Sequence, residues 1–150
     1  MRAATAFLAV IAVACGVVAS ERSAGSRDSQ SVAILEEVFR YQLQQFVEKT
    51  RGAPGSTVCL GVAGDTGIVD PPDDLIARIA RASGVLPESK CGSAGVHLSA
   101  GPVEWLSDKE VRVRGAFRRA PAGSVPLVYR VVQESDRWSC LGPIISYDPL

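Results

Sequence analysis

Beyond its apolar start the chain holds one histidine, His97, and three cysteines, Cys59, Cys91 and Cys140. An imidazole can act as general base or activate a nucleophile. A Ser-His-Asp arrangement needs a serine presented beside it, however, and no Gly-x-Ser-x-Gly elbow occurs. Zinc sites draw on close-spaced pairs of Cys or His, and a dithiol redox centre on Cys-x-x-Cys; neither spacing is present. No glycine-rich loop of the phosphate-cradling type occurs either. The residues therefore point to no metal and no cofactor.

Two further groups could carry chemistry. Asp65-Thr66-Gly67 matches the tripeptide of aspartic proteases, but that reaction needs two such carboxylates sharing one proton, and the chain has a single copy. Asp and Gly are also standard turn residues, so the tripeptide reads as a turn after a strand. Arg112, Arg114, Arg118 and Arg130 fall on alternate positions of extended segments and gather positive charge on one side of a sheet. They form a candidate face for an anion or a partner protein, and equally a solvated face that discourages edge pairing.

The elements that must position these groups are legible from periodicity. Val111, Val113, Gly115 and Phe117 alternate with Arg112, Arg114, Ala116 and Arg118. Leu127, Tyr129 and Val131 continue the pattern, and Trp138 and Cys140 follow the turn Glu134-Ser135-Asp136-Arg137. A period of two predicts an antiparallel sheet with one buried face, closing in a β-meander. Val32 to Arg51 carries Leu35, Val38, Phe39, Leu43, Phe46 and Val47 at three- and four-residue steps, which predicts a long amphipathic helix lying on that face. Ser56 to Ala63 is rich in β-formers and predicts the first strand. Asp70-Pro71-Pro72-Asp73-Asp74 predicts the start of a short second helix with Asp70 as its cap, ended by Gly84. Gly101-Pro102 predicts an edge, bend or bulge within the extended stretch Val96 to Leu106. The fold class expected is α+β: a long and a short helix packed on a curved antiparallel sheet.

The amino terminus reads as a targeting segment. Met1-Arg2 is followed by an almost wholly apolar run to Ala14, too short to span a bilayer and suited to the core of a secretory signal. Two processing routes stay open: cleavage near Val18-Ala19-Ser20, or lipidation of Cys15 within Ala12-Val13-Ala14-Cys15-Gly16, which resembles a bacterial lipobox. Residues 1–20 are thus expected as signal peptide, 21–31 as a flexible Ser-rich leader and 32–150 as one domain. Export places the chain in the periplasm or outside the cell, on a membrane only by way of a lipid on Cys15. An oxidising compartment favours a disulfide. Three cysteines permit one internal bridge, expected between Cys59 on the first strand and Cys91 after the second helix, with Cys140 left as a buried thiol.

Lys plus Arg and Asp plus Glu each number 16, so the formal charge is zero and nothing in the balance calls for nucleic acid. Thirteen of the 16 bases are arginine in an Ala- and Gly-rich chain, which fits GC-rich coding as well as a choice of arginine for anion contacts.

The order helix, strand, helix, long meander, closing in Val128-Tyr129-Arg130-Val131-Val132 and Trp138, is similar to cone-shaped domains of the cystatin-like superfamily, including the nuclear-transport-factor-like and SnoaL-like cones. It also looks like the ends of uncharacterised exported bacterial proteins. The resemblance covers roughly Val32 to Ile145 and implies a curved sheet with an open mouth. That superfamily hosts enzymes and binding modules on one scaffold, and no catalytic residue carries over by motif. The expected function is a non-catalytic exported domain binding a small ligand or a protein, with Trp105, Tyr129 and His97 as candidate ligand contacts. The alternative is a small pocket enzyme of the SnoaL-like type using a carboxylate or His97.

Overall fold

A computed structural model describes residues 18–49 and 57–144. The expected signal core and the lipidation candidate Cys15 lie outside the described residues.

The architecture is α+β. Helix α1 (Val18–Lys49) leads to strand β1 (Val58–Gly64), the short strand β2 (Gly67–Val69) and helix α2 (Asp73–Ser83). The two-residue strand β3 (Leu86–Pro87) and a 3-10 turn at Glu88–Lys90 follow. The meander comes last: β4 (Val96–Ser107), β5 (Glu110–Arg119), β6 (Gly123–Glu134) and β7 (Arg137–Pro143).

The sheet has seven strands, six of them in the order β2-β1-β4-β5-β6-β7, with β3 beside β1. From β4 onward every pairing is antiparallel, as the alternation predicts. The whole sheet is not antiparallel, which corrects the expectation. β1 runs parallel to β4, with Cys59 opposite His97 and Leu60 opposite Leu98, and parallel to β3 as well. The physical cause is the segment between them: α2 carries the chain back so that β4 starts at the same end as β1, as parallel neighbours require. Accordingly β1 is buried along Val58, Cys59, Leu60 and Gly61, on both faces rather than one.

Ile34, Val38, Phe39 and Leu43 of α1 pack with Leu60, Leu98, Val111, Val113 and Val131 into one core, which Leu75 and Ile79 of α2 complete. Fully burying a side chain of this kind contributes about 1.5–3 kcal/mol. We call the sheet face covered by α1 the inner face. Val111 and Val113 lie on it, whereas Arg112, Arg114, Arg118 and Arg130 are exposed on the outer one.

Helix α1 spans Val18–Lys49, so residues 21–31, expected as a flexible leader, are helical. The extension has its own contacts. The Arg27 guanidinium stands 5.3 Å from the centre of the Trp105 ring and 3.6 Å from Asp108 in the β4–β5 turn. Trp105 in turn meets Trp138 edge-on, ring centres 5.7 Å apart. These contacts are specific pairs that periodicity does not register.

Pro72, not Asp70, precedes the first residue of α2, and no side chain caps that helix. Asp74 in its first turn pairs with Arg78, which also reaches Glu36 of α1 at 2.7 Å. Gly84 ends α2 in the left-handed conformation, as expected. The expected irregularity at Gly101-Pro102 is a register shift between Ala100 and Val103. It falls where pairing with β1 has ended at Val62–Ala100, so Pro102 breaks no bond of a central ladder. The β6–β7 hairpin turns on Ser135 and Asp136, both at positive φ (47° and 63°), as a two-residue hairpin loop requires.

Candidate functional site

The inner face is not filled along its whole length. Between the carboxy-terminal half of α1 and the Phe117 end of β5 lies a cavity of about 470 Å³. Its lining is mostly apolar: Phe46, Leu98, Phe117, Val125 and Leu127 line it along with the rings of Tyr41 and Tyr129. Phe46 and Phe117 stand 6.3 Å apart as one aromatic pair, Tyr41 and Tyr129 6.0 Å apart as the other. Gln42, Gln45 and Arg119 bring the polar groups. Arg119 is exposed and makes no ion pair among the described residues.

Gln42 is the residue that sequence reading missed. It is 5% exposed, deep under α1. Its Nε2 donates to the Ser99 carbonyl at 3.0 Å and to the Tyr129 hydroxyl at 3.2 Å, while Oε1 is buried with no partner among the described residues. The signal for it was present: position 42 is four residues after Val38 and four before Phe46, within the apolar stripe, where a polar residue is out of place. Gly115 makes the arrangement sterically feasible. A Cβ there would stand 2.8 Å from both the Ser99 carbonyl oxygen and Tyr129 Cε2, and 3.1 Å from Gln42 Nε2. Burial pushes the Tyr129 phenol above its ordinary pKa, partly offset by the bond from Gln42, so the hydroxyl stays protonated at neutral pH.

The outer face carries a second cluster. Because side chains alternate, His97 points away from the cavity that its neighbour Leu98 lines. Its Nδ1 lies 2.8 and 2.9 Å from the two carboxylate oxygens of Glu88, and Arg118, directly opposite on β5, reaches the same carboxylate at 3.1 Å. The 3-10 turn that presents Glu88 is fastened twice more. Asp70 accepts from the backbone N–H of Ser89 at 2.8 Å and from its hydroxyl at 2.5 Å, which holds the Asp70 carboxyl below its usual pKa. The Cys59–Cys91 disulfide then ties the end of the turn to β1, Cα atoms 6.0 Å apart. The expected pairing is therefore the observed one, although it pins the 3-10 turn rather than α2. A carboxylate on Nδ1 is the way a histidine base is oriented. Here, however, the ring is buried (8% exposed) and its Nε2 has no partner among the described residues.

The sequence candidates are thus dispersed. Tyr129 lines the cavity. His97 lies on the opposite face. Trp105 shares the inner face but sits opposite Val111, six residues along β5 from Phe117, or about 20 Å. Arg118 is engaged by Glu88 and Arg130 by Glu110 at 2.8 Å, whereas Arg112 and Arg114 are exposed without an ion pair among the described residues. Asp65-Thr66-Gly67 is the exposed turn of the β1–β2 hairpin. Cys140 is a half-buried free thiol whose pKa burial raises. No group of three or more metal-ligating side chains occurs among the described residues. No helix among them is long and apolar enough to cross a membrane.

Compared with family models, curated proteins and solved structures, the chain matches none.

Proposed function

We propose that this is a non-catalytic exported domain that binds a small, largely apolar ligand between α1 and the inner face of the sheet. The observation that carries the reading is the cavity itself. Its 470 Å³ lies within the range of ~300–1,000 Å³ common for ligand sites, and apolar walls surround a few convergent polar groups. The likeness to cystatin-like cones supports it, since such a fold offers a mouth at one end of a curved sheet. The disulfide supports an oxidising compartment, and mass spectrometry of the mature protein from its native host would report the cleavage site and any lipid on Cys15.

Titration with 1-anilinonaphthalene-8-sulfonate tests the binding reading. Saturable fluorescence enhancement is expected in the unmodified protein and its loss in Leu127→Trp, which fills the cavity from β6. Equal enhancement in both proteins sinks the proposal.

An enzymatic reading has one observation in its favour, the Glu88–His97 pair. Enclosure of Nε2 weighs against it, because a general base must reach its substrate. Diethyl pyrocarbonate acylates accessible imidazole nitrogens. Rapid modification of His97 in the folded protein would revive the enzyme; protection counts against it.

A further inference from the structure

The cavity has a charged end, and the strand pattern puts it there. Along β5 the inner positions are Val111, Val113, Gly115 and Phe117, so Arg119 is the next residue on that face. It stands two residues beyond Phe117, about 7 Å along the strand, and both residues line the cavity. Its register partners are Val96 on β4 and Gly123 on β6, so no acid faces it across the sheet. Val125, its diagonal neighbour on β6, lines the cavity too and is 52% exposed. Residues that line a chamber and are also exposed stand at its mouth, and Arg119 and Val125 are both of this kind. Among the described residues lining the cavity, Arg119 alone carries a charge. Its chain neighbour Arg118 lies on the outer face and is held by Glu88, whereas Arg119 makes no ion pair among the described residues.

We infer that the cavity takes an amphipathic monocarboxylate, its apolar body inside and its carboxylate at the mouth on Arg119. The inference rests on the ligand-binding reading above. A guanidinium presents parallel N–H donors that match the two oxygens of a carboxylate. The apolar walls keep charge out of the interior, because an ion there would give up its hydration without a partner. At the exposed mouth the carboxylate keeps water on one side, while the apolar body gains by leaving it. A phosphate monoester carries roughly two negative charges at neutral pH, which one cation matches poorly. An ammonium would meet Arg119 as a like charge. The carboxy end of α1 is the negative pole of that helix and disfavours an anion beside it, so the carboxylate belongs on the sheet side of the mouth. The Phe46–Phe117 and Tyr41–Tyr129 pairs give the body aromatic walls, which suit a flat ring.

The test uses three probes of one shape, 2-naphthoate, 2-naphthamide and 2-naphthylmethylammonium, with affinities read by isothermal titration calorimetry. In the unmodified protein the naphthoate is expected to bind about threefold to fivefold more tightly than the amide, the scale of an ion pair open to solvent. The ammonium is expected to be the weakest. The naphthoate's advantage should shrink as sodium chloride is raised, while the amide's affinity holds. In Arg119→Gln the naphthoate should fall to parity with the amide, and unchanged binding of the amide reports that the variant is folded and its cavity intact. Equal affinity for naphthoate and amide in the unmodified protein, or an advantage that survives Arg119→Gln, overturns the carboxylate assignment and leaves the cavity a ligand site. Tightest binding of the ammonium overturns it in favour of a cation. Failure of all three to bind overturns the ligand-binding reading as well.

Discussion

Leu98 and His97 are neighbours in the chain and enter two different interiors. The inner face, on the Leu98 side, is roofed by a helix of 32 residues, about 48 Å long. The outer face, on the His97 side, is roofed locally by a 3-10 turn of three residues. The long cover is tied to the sheet by the apolar packing of Ile34, Val38, Phe39 and Leu43, and the cavity lies toward its carboxy-terminal half. The short cover is fastened by a disulfide, a shared carboxylate and the Asp70–Ser89 bonds, and it closes on His97. Each interior holds a buried polar atom without a partner among the described residues, Gln42 Oε1 inside and His97 Nε2 outside. Neither atom can be touched by a water molecule, so each orphan is a cost of packing.

The largest effect is expected from unfastening the outer cover. Replacing Cys59 and Cys91 together by Ala should cost about 3–4 kcal/mol in urea unfolding, from the chain entropy restored to the unfolded state by opening a loop that spans a sequence separation of 32. It should also make His97 reactive to diethyl pyrocarbonate while binding of the fluorescent probe in the cavity persists. Joint loss of both interiors would show that they are not independent.

Gly115→Val comes next. The added atoms meet Ser99, Tyr129 and Gln42 together, so about 1–3 kcal/mol of overpacking is expected, with loss of probe binding in the cavity. Protection of His97 on the other face should be unchanged, as labelling would show.

Acid separates the two covers more gently. For Glu36 burial acts against ionisation, but the bonds from Arg40 and Arg78 outweigh it and lower the pKa below 4.5. Ser89 lowers that of Asp70 below 3.8. Both pKa values are depressed on folding, so each group contributes stability that is present above its unfolded value and lost as pH falls through the folded one. Urea midpoints followed from pH 6 to pH 2 should decline, and Glu36→Gln and Asp70→Asn should each flatten part of that decline. An unchanged profile in both variants would place the acid response elsewhere. Arg112→Gln is expected to leave the midpoint and both interiors unmoved. A clear loss of stability there would mean that the exposed arginine face is structural.

Much of this frame was legible in the sequence, for identifiable reasons. The meander announced itself because each of its strands buries one face, so polarity alternates along the chain. The stripe of α1 from Val32 onward did so for the same reason at helical period. Cys59 and Cys91 were the pair because β1 and the segment after α2 had to meet. The parallel pairing of β1 with β4 was not seen, because a partner strand is set by the crossover between them rather than by local pattern. A trace of it existed: Val58, Cys59 and Leu60 are apolar in succession, the mark of a strand covered on both sides. The helical state of residues 21–31 is not legible, because a pair such as Arg27 with Trp105 leaves no mark on periodicity. The site was the least legible part. Tyr129 is identifiable by type, but Gln42 has no feature of its own in the sequence beyond its place in the apolar stripe, and the room that Gly115 leaves is a property of three elements at once.

The Cys59–Cys91 bridge has a last consequence, for the chain as a covalent object. It encloses β2, α2, β3 and the 3-10 turn in a closed ring. A protease that cuts once anywhere between those two cysteines opens the ring without releasing a fragment. The two pieces stay joined and migrate together until a reductant parts them. In a compartment rich in proteases, the exposed Asp65-Thr66 turn and the second helix are thereby the segments this protein can have nicked while remaining one molecule.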